Sequence, residues 1–321
     1  MKLRRLAGTD LDLSVVGVGC WAMGGLWWGD DVRDDDSIAA IHRALDLGIN
    51  WFDTAPLYGH GHADEILVRA LGSKLREVVI ATKVGVRWDG EGMHARSDLT
   101  PEHVRADVEA SLRRLGLERL DLVQIHWPCE LGTPLEATLE ALYRLREQGK
   151  LRYIGLCNYG APQLRLAAAA GGIDSLQTPY SMLRREFEAE LQPLVLDFPG
   201  RSEPLGTLAY EPLCRGLLTG KFSATSRFAQ SDLRARDDRF QGGRMLRALT
   251  IVSRLQLIAK RHGAPLAALA IAWALRQPGI SVAIAGAKRA DQVAMNAQAA
   301  DWLDRDDLWA DVDRVVASFR G

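Results

Sequence analysis

The sequence predicts an α/β fold: a (β/α)8 barrel with an N-terminal hairpin, a long loop after its seventh strand and an extra C-terminal helix, in a single domain spanning residues 1–321. Two observations carry that reading. Eight short apolar runs, each suited to a strand buried on both faces, alternate with segments of helical period. The chain of 321 residues exceeds the usual barrel of about 250 by an amount that a hairpin, a loop and a helix absorb. A two-domain doubly wound arrangement is the alternative, disfavoured because no GxGxxG opens a helix after a strand.

The elements follow in order. MKLRRLAGTDLDLSV alternates around an Ala-Gly-Thr-Asp turn and reads as a hairpin closing the barrel bottom. The strand candidates are SVVGVG from Ser14, NWFD from Asn50, VVIATK from Val78, LDLVQIH from Leu120, YIGLC from Tyr153, SLQTP from Ser175, LGTLAY from Leu205 and ISVAIAG from Ile280. Segments such as SIAAIHRALDLG from Ser37, PEHVRADVEASLRRLG from Pro101 and PLEATLEALYRLREQG from Pro134 have helical period and end in glycine. The polar stretch from Phe222 to Gly243 predicts a long loop and candidate lid, and Asp306 to Phe319 a final helix. Together these describe a TIM barrel.

Composition narrows the function. With 47% hydrophobic and 25% charged residues the chain is that of a globular protein, and a net charge of −1 gives no basic bias toward nucleic acid or anionic lipid. The expected partners are small molecules, and oligomeric state is open. Cys20, Cys129, Cys157 and Cys214 have neither CxxC nor metal-ligand spacing and read as free thiols in a reducing compartment. The start lacks an apolar stretch of signal-peptide length and no run approaches about 18 apolar residues, so a cytoplasmic, unanchored protein is expected.

In a barrel of this kind the active site forms at the C-terminal ends of the strands. Asp53 ends the second strand, Tyr58 follows on its loop, Lys83 ends the third and His126 the fourth. Singly, each has a plain structural role as a cap, a solvated strand end, a core histidine or a packed ring. Together they converge on one mouth. A tyrosine hydroxyl, ordinarily titrating near pH ~10, donates a proton poorly unless a cation stabilises its phenolate. Lys83 would supply the cation, Asp53 would hold it charged, and His126 would orient a carbonyl oxygen. The set suits protonation of an oxygen as hydride reaches the adjacent carbon, and no HExxH, HxH or acidic cluster calls for a metal.

At these residues the sequence resembles the aldo-keto reductase family along nearly its whole length. GVGCWAMGG, INWFDTAPLYGHGHADEILVRAL, VVIATKVG, LDLVQIHWP, RYIGLCNY, LQTPYSMLRRE, EPLCRGLLTGKF, SDLRARDDRF and IAGAKRADQVAMN each look like a block of that family, in its order, with the nearest look to bacterial general stress and inositol-cluster reductases. The resemblance implies the same barrel, a catalytic tetrad of Asp53, Tyr58, Lys83 and His126, and NADP(H) bound across the mouth. It implies Asn158 and Gln177 on the carboxamide and Tyr180 stacked on the nicotinamide. Tyr210, Glu211, Pro212, Leu213, Gly216, Leu217 and Lys221 would cradle the pyrophosphate, with Arg234 a further match. Gly286, Lys288, Gln292 and Asn296 would face the 2′-phosphate and adenine, with Arg289 beside them. Departures are Met295 where the family often has an acid, Ala285 where this branch usually has proline, and Cys129 where HWPD is usual.

Trp21, Trp27, Trp28, Trp88 and Trp127 fall on or near the mouth loops and would either line a substrate pocket or pack at loop bases; Trp21 is also placed with the cofactor, and Tyr58 and His126 with the pocket. The expected function is NADPH-dependent reduction of aldehydes or ketones to alcohols, reversibly. Two other readings stay open: a cofactor-binding redox sensor or regulatory subunit, and a lyase using Lys83 as a Schiff-base amine.

Overall fold

Eight parallel strands close on themselves in chain order in the computed structural model, which describes residues 1–88 and 95–319. They are β1 (Val16–Gly19), β2 (Trp51–Asp53), β3 (Val79–Val84), β4 (Leu120–Ile125), β5 (Leu151–Cys157), β6 (Ser175–Pro179), β7 (Gly206–Tyr210) and β8 (Val282–Gly286). β8 pairs with β1, Ile284 opposite Gly17, and leaves no barrel edge. Nearly every strand residue is buried, because helices cover the outer face and side chains fill the inner one.

The hairpin closes the bottom as expected. Leu3–Arg5 pairs antiparallel with Asp12–Ser14, and Leu6, Leu11 and Leu13 pack against Trp51, Leu122, Leu208 and Val282 inside the barrel. Two glycines make room: a Cβ on Gly206 would lie 2.6 Å from Leu6, and one on Gly17 would lie 2.1 Å from the Trp51 indole.

Helices α1 (Asp34–Asp46), α2 (His62–Leu71), α3 (Pro101–Leu115) and α4 (Leu135–Glu147) pack outside the first strands. α1 starts three residues before the pattern suggests, since Asp34, Asp35 and Asp36 fill its first turn, where carboxylates meet the positive helix end. α3 is capped by the Thr100 hydroxyl, which accepts from His103 N, with Pro101 opening the helix. A small antiparallel ribbon, Val86–Trp88 with Ala95–Ser97, was not expected; its strands are too short for periodicity to announce. After a 3-10 segment at Cys214–Thr219, the chain from Phe222 to the helix Gly242–His262 makes only short 3-10 turns at Leu233–Arg236 and Asp238–Phe240, as the polar stretch predicts. The last helix, Asp306–Ala317, is also present. Among the described residues no helix is long and apolar enough to cross a membrane.

Candidate active site

The four rim residues meet. β2 ends at Asp53 and β3 carries Lys83, neighbours in the sheet, so both side chains rise at the same mouth. Lys83 Nζ lies 2.6 Å from Asp53 Oδ1, 3.1 Å from the Thr54 carbonyl and 3.2 Å from the Tyr58 hydroxyl. These three acceptors match the three protons of an ammonium. Tyr58 reaches the lysine because its loop is pressed inward by the loop after β1: Gly24 and Gly59 meet backbone to backbone, and a Cβ on Gly59 would lie 2.2 Å from Gly24 O. His126, following β4, sets its ring edge-on to Tyr58 with centroids 6.0 Å apart.

Burial governs the charges. Lys83 and Asp53 are almost wholly buried, which disfavours the ammonium, yet Asp53 and Tyr58 overcome that loss and hold Lys83 above its ordinary range. The Tyr58 phenol is also pushed up, by burial first and then Asp53, with Lys83 opposing. His126 is held well below 6.5 by burial and by Lys83, so its ring is a neutral imidazole. The site therefore presents a protonated phenol, a buried cation and a neutral donor side by side.

Aromatic rings wall this group. Trp21 stacks near Tyr58 at 6.2 Å, Trp28 meets Trp21 edge-on at 5.2 Å, and Trp127 lies 4.9 Å from His126. Trp88 stands one ring further out, stacked on His60 at 4.9 Å. Trp27 acts through its backbone, whose carbonyl accepts Leu233 N from the loop after β7.

A band of polar and basic residues on the loops after β5, β7 and β8 continues from the tetrad. At its inner end Tyr210 donates to Asn158 Oδ1 at 2.7 Å, while Asn158 Nδ2 donates to His126 O at 3.1 Å. Next comes a run of left-handed backbone at Glu211, Cys214, Arg215 and Gly216, costly for the three non-glycine residues and held by ion pairs. Glu211 accepts from Arg215 at 2.6 Å and Arg239 at 2.8 Å, and Asp237 accepts from the same two arginines. This cluster binds the long loop to the mouth. At the outer end Lys221 is pushed down by loss of solvent, then by the charges of Arg234, Arg289 and Lys288. Lys288 N donates to Gln292 Oε1 at 2.9 Å, and Asn296 Nδ2 reaches Gly286 O at 3.5 Å, so both amides brace the turn carrying Lys288.

A family model described as "Aldo/keto reductase family" matches residues 15–317. This chain is an aldo-keto reductase family member. It is 34% identical to aldo-keto reductase YhdN of Bacillus subtilis, over 98% of this chain and 94% of that one. It is 35% identical to the NADH-specific methylglyoxal reductase of Escherichia coli, over 93% of each. Among solved structures, the glycerol dehydrogenase AKR11B4 from Gluconobacter oxydans shares 36% identity and a TM-score of 0.87, over 98% of this chain and 95% of that one. The family is one of oxidoreductases that use nicotinamide cofactors, and this chain is an oxidoreductase of that kind.

Three residues expected at the cofactor of this reductase make contacts within the protein. Tyr180 is 0% exposed, donates to Glu188 at 2.6 Å and stacks on Trp273, so its ring is packed in the core and not free to stack on a nicotinamide. It lies one residue beyond β6, whereas Tyr210, which ends β7 and bonds Asn158, is partly exposed. Gln177 is buried and gives Nε2 to Asp53 Oδ2 at 2.7 Å, bracing that carboxylate from the barrel side. Arg234 is paired with Asp232 and packed against Phe228, Phe222 and Trp28, so it holds the long loop together. Glu211, Leu213 and Gly216 are partly exposed and Lys221 is exposed, whereas Pro212 and Leu217 are buried. Sequence reasoning missed the pairs of Arg215 and Arg239 with Glu211 and Asp237, whose partners lie up to 28 residues apart. Only the charge density of EPLCRG and RARDDR hints at them.

Proposed function

We propose that this aldo-keto reductase interconverts aldehydes or ketones with alcohols, using NADPH in preference to NADH, and that the chain works as a single catalytic domain. The observation carrying the proposal is the Lys83 ammonium in contact with both Asp53 and the Tyr58 hydroxyl, all three shielded from water.

Lys221 feels the charges of Arg234, Arg289 and Lys288, a cluster of cations that would suit a pyrophosphate and a 2′-phosphate. The left-handed run after β7 has the backbone form that turns amides toward an anion. Asn158 and Tyr210 would hold the nicotinamide end, and Lys221, Lys288 and Arg289 the phosphates. When bound, NADPH supplies a hydride to the carbonyl carbon.

The chain's own residues manage the oxygen. Tyr58, protonated at neutral pH, donates its proton to the carbonyl oxygen in reduction and recovers one from the alcohol in oxidation. Lys83 stabilises the phenolate left behind, and Asp53 keeps the ammonium in place. His126, neutral, donates one N–H to the same oxygen and favours the charge that develops there. Trp21, Trp28 and Trp127 exclude water from the reacting atoms.

The test is NADPH and NADH consumption with an aldehyde and ketone panel that includes methylglyoxal and glyceraldehyde, alongside cofactor binding by tryptophan quenching. Turnover that Tyr58→Phe abolishes supports the proposal. Binding without turnover across the panel would support a cofactor sensor, and borohydride trapping of substrate on Lys83 a lyase.

A further inference from the structure

Behind the tetrad runs a buried chain of contacts that the reaction does not itself use. Thr54, which opens the Tyr58 loop, donates its hydroxyl to Asp64 Oδ1 at 2.6 Å; Asp64 lies in the first turn of α2, where that loop ends, ten residues on. The second carboxylate oxygen, Asp64 Oδ2, accepts Arg114 Nε from α3 at 2.7 Å. Thr54 and Asp64 are both 0% exposed. The carbonyl of the same Thr54 accepts Lys83 Nζ.

From this juxtaposition we infer that Thr54 is a positioning residue for Lys83 and Tyr58, set in place by Asp64 and anchored through it to Arg114. The inference rests on the proposed roles of Lys83 and Tyr58. Its physical basis is that the ammonium spends one proton on each of Asp53, the Thr54 carbonyl and Tyr58, so a shift of the carbonyl turns the ammonium and changes its contact with the phenol. The Thr54 backbone N–H bonds Ala81 O at 2.8 Å, which holds one side of that residue to β3; the hydroxyl bond to Asp64 holds the other. The same bond ties the two ends of the loop carrying Tyr58. One carboxylate thus fixes the acceptor of the cation and the span of the loop that presents the phenol. Arg114 pairs with the second oxygen of Asp64 and so fixes the direction in which the first faces Thr54.

A purely structural role, packing α2 against α3, would lower stability without altering proton transfer. The decisive readout is therefore alcohol oxidation as a function of pH, with the substrate pair that wild type turns over fastest. Lys83 lowers the Tyr58 pKa, so an ill-placed ammonium leaves the phenol harder to ionise, and oxidation, which needs the phenolate, moves its pH profile upward. Thr54→Val should lose roughly ten- to a hundred-fold in kcat at neutral pH. It should recover part of that loss as pH rises, with KM and cofactor affinity within about twofold of wild type. Thr54→Ser, which keeps the hydroxyl, should restore both rate and profile. Arg114→Gln, which leaves Thr54 intact and remains a test if the valine variant does not fold, should show a smaller loss with the same upward displacement.

A folded Thr54→Val variant with wild-type kcat and profile overturns the inference. So does a serine variant as slow as the valine one, or an Arg114→Gln profile identical to wild type. If Tyr58→Phe and Lys83→Met collapse turnover while the Thr54 and Arg114 variants behave as wild type, the positioning role fails and the proposed function stands. If Tyr58→Phe retains turnover, the proposed function fails first.

Discussion

Lys83 donates a hydrogen bond to Tyr58 across 3.2 Å, yet the phenol beside this cation titrates above its ordinary range. The sequence alone suggests the opposite, because a neighbouring ammonium depresses a phenol pKa. Two features reverse the outcome. Tyr58 is buried, which penalises the phenolate, and Asp53 at 2.6 Å from Lys83 faces the phenol with a charge of the opposite effect. Tyr58 thus stays protonated across the neutral range, as the proposed role of proton donor requires, while Lys83 limits how costly its ionisation becomes.

Replacing Tyr58 with phenylalanine keeps the ring that stacks near Trp21 and deletes the proton. General acid catalysis is worth about 10²–10⁴-fold, so kcat should fall by that factor. The NADPH dissociation constant should stay within about threefold, since the residues proposed to hold the cofactor are untouched. Steady-state kinetics with a binding titration checks both; turnover close to wild type would remove Tyr58 from the mechanism.

Lys83→Met takes away the one group that lowers the Tyr58 pKa by direct contact. Oxidation should suffer more than reduction at neutral pH, because only oxidation begins from the phenolate. Its profile should move to higher pH, and equal losses in both directions with unmoved profiles would contradict the assignment.

His126 links the site to acid stability. Its folded pKa lies well below 6.5, so the folded chain stays neutral there while the unfolded chain takes up a proton. The stability that depends on this histidine is fully present above pH 6.5 and is lost as pH falls below it, at roughly 1.4 kcal/mol per pH unit until the folded form also protonates. Thermal unfolding from pH 7 to pH 5 should show a shallower decline for His126→Gln than for wild type. Parallel curves would place the acid sensitivity elsewhere.

How much of this was legible in the sequence depends on distance along the chain. Strand ends are announced by local pattern, so Asp53, Lys83 and His126 could be placed at one mouth before any coordinates existed, and the eight strands appear in the order read. Orientation beyond a strand end is set by tertiary packing. Tyr180 and Tyr210 both follow apolar runs and look alike in sequence, but one turns into the core against Trp273 and the other stays partly exposed and bonds Asn158. Contacts between distant segments, such as Asp64 with Arg114, leave no local trace at all, because an acid in the first turn of a helix has a sufficient explanation there.

That contrast between the two tyrosines is itself testable. Tyr180→Phe removes a buried hydroxyl bonded to Glu188 and should cost about 1 kcal/mol of stability while leaving cofactor affinity unchanged. Tyr210→Ala removes the ring proposed to meet the nicotinamide and its bond to Asn158, and should weaken NADPH binding by roughly ten-fold or more on the worth of a stacked aromatic. Denaturation curves and quench titrations of both variants decide it, and the reverse pattern would return Tyr180 to the cofactor site.

On the proposed function, cofactor choice would turn on Lys288 and Arg289. Lys288, its side chain largely buried, pairs with the exposed Asp31 at 2.5 Å, and Arg289 pairs with Asp291 at 3.1 Å; the second is a surface pair of the kind that contributes about 0–1 kcal/mol, and the first has one partner open to solvent that a stronger anion can replace. A 2′-phosphate carries more charge than either carboxylate and would displace them, whereas the 2′-hydroxyl of NADH offers the two cations nothing to neutralise. NADPH should therefore bind more tightly than NADH, the margin narrowing as ionic strength rises because the competing pairs and the phosphate contact are all near solvent. The Lys288→Ala, Arg289→Ala double variant should lose most of the margin by weakening NADPH while NADH binding holds. The related methylglyoxal reductase from Escherichia coli is named as NADH-specific, so a reversed order is a concrete alternative. Titrating both cofactors into wild type and double variant at low and high salt separates them: equal or inverted dissociation constants in wild type, insensitive to salt, would remove the 2′-phosphate role from Lys288 and Arg289.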